Sequence, residues 1–110
     1  MAKILSKKDR TLETYKHAGA QVRLCKAAAV KAAVALGGVL TSDEYAKVSR
    51  ALSLIDEAVS RADDRMFHDH PDIGDEYTRV FYGCLDDESM SPVDEEVRVL
   101  AREYADGIFS

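Results

Sequence analysis

Residues 45–66, YAKVSRALSLIDEAVSRADDRM, place apolar side chains at Tyr45, Val48, Leu52, Ile55, Val59, Ala62 and Met66. The spacing alternates three and four without a break, the repeat that lets one helix lie along another. Just upstream, Thr41 and Glu44 have the spacing of a capping box, and Leu40 and Tyr45 that of a hydrophobic staple. Downstream, Pro71 disfavours helical geometry at His70. A helix over residues 42–69 is therefore predicted, with Glu57 and Arg61 as an i,i+4 pair.

Working outward, residues 9–36 read as a second long helix with a seam of Thr11, Tyr15, Ala18, Val22, Cys25, Ala29, Ala32 and Leu36. Gly37-Gly38 closes it, since glycine takes the left-handed conformation that suits a helix C-terminus. From Leu24 onward this helix is apolar nearly all round, interrupted only by Lys26 and Lys31. A helix of that kind is expected to be buried on all sides. The short connection over residues 37–41 forces the two helices antiparallel, each spanning roughly 40 Å.

Two shorter helices are predicted beyond Pro71. The first covers about 75–85, with Ile73, Tyr77, Val80, Phe81 and Cys84 inward and Tyr82 off that face. The second opens at Ser91-Pro92, a capping residue followed by proline at the first helical position. Its inward set is Val93, Val97, Leu100, Tyr104 and Ile108. The expected architecture is all-α and four-helix bundle-like: a long antiparallel hairpin (9–36 and 42–69) carrying a C-terminal pair (73–110), behind a flexible basic tail (1–8). It forms one domain. The shorter pair cannot cover both long helices end to end, so the seam left over points to a homodimer through the hairpin.

Composition agrees with a helical globular chain. Of 110 residues, 46% are apolar and 32% charged, with two prolines and no tryptophan. No apolar run approaches the roughly 18 residues needed to cross a bilayer. The start, Met1-Ala2-Lys3-Ile4-Leu5, lacks the apolar core of a signal peptide. With two cysteines and no Cys-x-x-Cys, the expectation is a cytoplasmic protein with buried, reduced Cys25 and Cys84.

The net charge of −5 is unevenly spread. Residues 1–36 hold eight Lys/Arg against Asp9 and Glu13, whereas the remainder holds seven basic and eighteen acidic side chains. Helix 1 is therefore basic and the rest acidic. One consequence is intramolecular complementarity. Another is a basic outer face of Arg10, Lys16, His17, Arg23 and Lys31 offered to nucleic acid through salt-dependent, non-specific contacts. The acids Asp86, Asp87 and Glu88, with the off-face Tyr82, form a candidate surface for a protein partner.

Chemistry-bearing residues are few. Asp64 and His68 share a helix face and His70 follows at the turn, a plausible half of a metal site. Arg61 and His68 are spaced in a way similar to the Arg-x(4–6)-His motif of HEPN-type ribonucleases, which are small, dimerising all-α proteins. That resemblance implies Arg61 on phosphate and His68 in acid/base cleavage of RNA; Ala62 stands where the family has a polar residue. His70-Pro71-Asp72, Phe81-Tyr82 and Ser91-Pro92 look loosely like nuclease-bacteriocin immunity proteins, small acidic helical inhibitors. No phosphate-cradling glycine loop, nucleophile elbow or cofactor pattern is present. The expected function is a non-catalytic interaction module, an adaptor or inhibitor. Nucleic-acid binding along helix 1 is the alternative, and RNA processing at Arg61/His68 a third reading.

Overall fold

The computed structural model describes residues 4–83, 85 and 89–109, with the side chains of 108 and 109 set aside. Among these residues there are three α-helices and no strand: α1 (Leu12–Gly37), α2 (Ser42–Asp69) and α3 (Pro92–Phe109). The molecule measures 47 × 28 × 26 Å. Helix α2 occupies the residues its periodicity predicts. Its N-terminus carries the capping box: Thr41 Oγ1 accepts from Glu44 N at 3.2 Å, and Glu44 Oε1 accepts from Thr41 N at 2.9 Å.

Helix α1 starts at Leu12 rather than Asp9, with Thr11 as the capping residue. It does not end through a left-handed glycine. Gly38 is right-handed (φ −82°, ψ −13°), and the last carbonyls are met by tight turns, Gly38 N to Ala35 O and Leu40 N to Leu36 O. From there the chain doubles back: Asp69 at the end of α2 meets Arg10 and Tyr15 near the start of α1, and Asp56 meets Lys26 further along. Within the stretch expected to be a tail, Lys7–Asp9 form a 3-10 turn.

The four-helix expectation is corrected. In place of a helix over 75–85 there is a 3-10 turn, Asp75–Tyr77, followed by successive turns through Gly83. The reason is tertiary. The carbonyls of Arg79 and Val80 accept from the Arg23 guanidinium at 2.5 and 3.2 Å, so this strap is clamped onto α1. Gly19 lets the strap approach; a Cβ there would lie 2.4 Å from the Val80 carbonyl oxygen. Helix α3 then packs along the first half of α1. Ser91 Oγ accepts from Asp94 N, and Asp94 Oδ2 accepts from Met90 N, closing its N-terminus reciprocally.

The core is assembled from Tyr15 and Ala20 of α1, Val59 and Met66 of α2, Val80 and Phe81 of the strap, and Val93, Val97 and Ala101 of α3. Val93 and Val97 are thus inward as their spacing predicts; Cys84 and the side chain of Ile108 lie outside the described residues. The buried arc of α1 shares only Tyr15 with the expected seam, of which Val22 and Ala29 are half-buried. Tyr15, Lys16, Gly19, Ala20, Arg23 and, further along, Ala33 are buried, whereas Ala18, Cys25, Ala32 and Leu36 are exposed. Charged side chains occupy this arc because acidic partners reach it from α3, which apolar periodicity does not register.

Candidate functional site

Between Leu24 and Ile55 no residue joins the main core cluster or the hydrophobic side chains packed against it; Ala33 is buried there, outside that cluster. That span is the whole connection-side half of the α1/α2 pair. It is where α1 is apolar all round, and the expectation of burial on all sides fails there. Val34 is 75% exposed, Val39 78%, Val30 56% and Leu54 56%, with Leu36 also exposed. Val30 and Val34 are four apart and share one face of α1. Beneath them, Ala29, Val30, Leu52 and Ile55 border a cavity of about 120 Å³ between the two helices. Two helices meet here without a third to close the layer, so the apolar surface stays in water.

A larger groove of about 700 Å³ continues from this surface toward α3. Its walls include Leu24, Cys25, Ala28, Leu85 and Tyr104, with Lys31 at the same site. Cys25 is an exposed thiol on the groove wall, not the buried one its seam position suggested. The Tyr104 hydroxyl is fixed by His17 Nδ1 at 2.6 Å.

The basic outer face expected on helix 1 is largely turned inward. Arg23 is 3% exposed; its NH2 lies 2.7 Å from Asp94 Oδ1, and Arg79 Nε lies 3.2 Å from Asp94 Oδ2. Lys16 is buried between Glu13 and Glu96, 5.8 Å from the Tyr77 ring centre. Burial opposes its charge, but bonds to Glu96 and Glu13 outweigh this and hold the ammonium above the ordinary lysine range. Arg10 forms a forked pair with Asp69, and Lys26 reaches Asp56 at 3.4 Å. The acidic two-thirds of the chain neutralise helix 1 from within, the complementarity its charge asymmetry allows. Of the proposed basic contacts, Lys31 alone is both exposed and without an ion pair among the described residues.

Tyr82 is exposed as expected, with Lys26 Nζ 5.4 Å from its ring centre. Its proposed neighbours Asp86, Asp87 and Glu88 lie outside the described residues. The Asp64, His68 and His70 set is not gathered: His68 points to solvent, whereas His70 Nε2 bonds the Arg10 carbonyl at 2.8 Å and its ring meets Tyr15 edge-on. Among the described residues no group of three His, Cys, Asp or Glu side chains is placed to hold a metal. Arg61 and His68 do border one cleft, together with Lys7, Arg65 and Asp64. Sequence reasoning missed Leu54 and Arg65. The signal for Leu54 was a leucine standing off a regular seam, and for Arg65 a like charge four residues from Arg61.

In class the chain is an all-α protein, three α-helices among the described residues, with no helix long and apolar enough to cross a membrane. Comparison with family models, curated proteins and solved structures finds no match to it.

Proposed function

We propose that this chain is a non-catalytic helical docking module that works as a homodimer, joined through the connection-side half of its α1/α2 hairpin. The observation that supports the reading is the exposure of Val30, Val34, Val39 and Leu54 on a span that, Ala33 apart, buries no side chain. Large apolar side chains left in water at one end of a fold are candidates for an interface.

A second copy is the occupant we favour because the flanking charges are self-complementary. Asp43 and Glu44 in the first turn of α2, and Lys47 and Arg50 one to two turns on, are all exposed. A two-fold axis across this end sets the acidic pair of one copy against the basic pair of the other, as an isologous contact requires. The nucleic-acid reading loses most of its charges to internal pairs. An adaptor or inhibitor role follows if the dimer then presents its grooves beside Cys25 and its exposed Tyr82 to a further protein.

The test is the mass of Val34→Glu and Leu54→Glu in solution. Both sites are exposed in the single chain, so both variants keep helical circular dichroism. Light scattering is expected to give twice the chain mass for the unmodified protein and the single-chain mass for the variants. Unchanged mass in both variants removes the reading.

A further inference from the structure

The end of the molecule opposite the apolar surface carries a cleft of about 510 Å³ bordered by Lys7, Arg10, Arg61, Asp64, Arg65, His68 and Asp69. Its charge balance depends on how Asp69 is used. Asp69 is four residues from Arg65, the spacing at which an aspartate and an arginine pair along a helix. Its side chain, however, is 1% exposed and turned inward, where Arg10 donates to both oxygens at 2.7 and 3.1 Å and the Tyr15 hydroxyl donates at 2.5 Å. Arg10 and Asp69 thereby cancel.

What faces the cleft is then Lys7, Arg61, Arg65 and the exposed His68 against the single carboxylate of Asp64. Lys7, Arg61 and Arg65 form no ion pair among the described residues. The expected Glu57–Arg61 pair is not made. Two arginines one helical turn apart, with a lysine from a separate segment brought against them, is an arrangement that like-charge repulsion disfavours unless an anion enters.

We propose that this cleft binds a compact phosphate group: the dianionic phosphoryl of a small phosphorylated molecule, gripped by the forked guanidinium groups of Arg61 and Arg65 and by the Lys7 ammonium. Guanidinium geometry matches two phosphate oxygens at once, and the cleft has room for a substituent beyond the phosphoryl group. A long polyanion fits the surroundings less well. The chain carries a net charge of −5, and Lys16, Arg23 and Lys26 of α1, which would continue a track, are paired internally.

The test is calorimetric titration of the full chain at low salt with inorganic pyrophosphate, adenosine monophosphate, adenosine and a single-stranded oligonucleotide. Pyrophosphate and the monophosphate are expected to bind, and adenosine to give no heat. Arg61→Gln and Arg65→Gln, both at exposed positions, are each expected to weaken binding about tenfold or more, while Lys31→Gln leaves it unchanged. The proposal is overturned by no binding of either phosphate compound, by binding that survives both arginine substitutions, or by binding of the oligonucleotide alone, which would assign the cleft to a phosphodiester backbone. A loss of thermal stability in Arg61→Gln with unaltered binding also overturns it, because the cations would then serve only the negative end of α2.

Discussion

Asp63 is the residue at which the fold works against itself. One of its carboxylate oxygens is buried without a hydrogen-bond partner among the described residues. Burial, and then the charge of Asp64, push its carboxyl above the usual aspartate range. A raised carboxyl favours folding while protonated and opposes it once ionised. Its penalty is absent below the unfolded value, grows between the unfolded and the folded value, and is full above the folded one. Asp63→Asn should therefore stabilise the protein at pH 7, by on the order of 1 kcal/mol, with the gain vanishing near pH 3. Urea unfolding at the two pH values checks this. Asp69 is the opposite case. The hydrogen bonds from Arg10 and then Tyr15 hold it far below the usual range, so its contribution is complete above the ordinary aspartate pKa and is lost only as pH falls through the folded value. The caps Thr41–Glu44 and Ser91–Asp94 were legible in sequence because each is a contact across three residues. Arg23 with Asp94 was not, because nothing local tells a lysine or arginine bound for solvent from one that meets a carboxylate 71 positions away.

At the scale of the element, α2 was legible throughout because one partner surface runs its length and its seam stays in phase. The face of α1 was misread for the converse reason. Three neighbours, α2, the strap and α3, surround its first half, and one of its buried positions is a glycine and two are charged. The same contact explains why 75–83 is a strap: the carbonyls of Arg79 and Val80 are satisfied from α1. Gly19→Ala should cost on the order of 1–3 kcal/mol, because its Cβ meets the backbone of Val80 rather than a side chain that can turn aside. Asp94→Ala should cost more, about 3–5 kcal/mol, since it leaves Arg23 buried beside Gly83 with its carboxylate gone and strips Met90 N of its acceptor. Equal losses in the two variants, measured by chemical denaturation, would contradict the ionic clamp as the main tie between α1, the strap and α3.

For the whole molecule, the two ends have different chemistry. One end holds the core, the clamp and the cationic cleft; the other holds two helices with valine and leucine in water. The excess of apolar residues after Leu24 was visible in sequence. That it stays uncovered follows from the strap, which replaces a helix and leaves α3 as the only further layer among the described residues, laid along the first half of α1. The groove beside Cys25 was not legible, since its walls come from three segments far apart in the chain. The uncovered end is proposed above to be half of an interface. Sedimentation equilibrium of the unmodified chain from low to high micromolar concentration tests it directly. The expected mass rises from one chain to two and stops there; a single-chain mass across the whole range would contradict the interface.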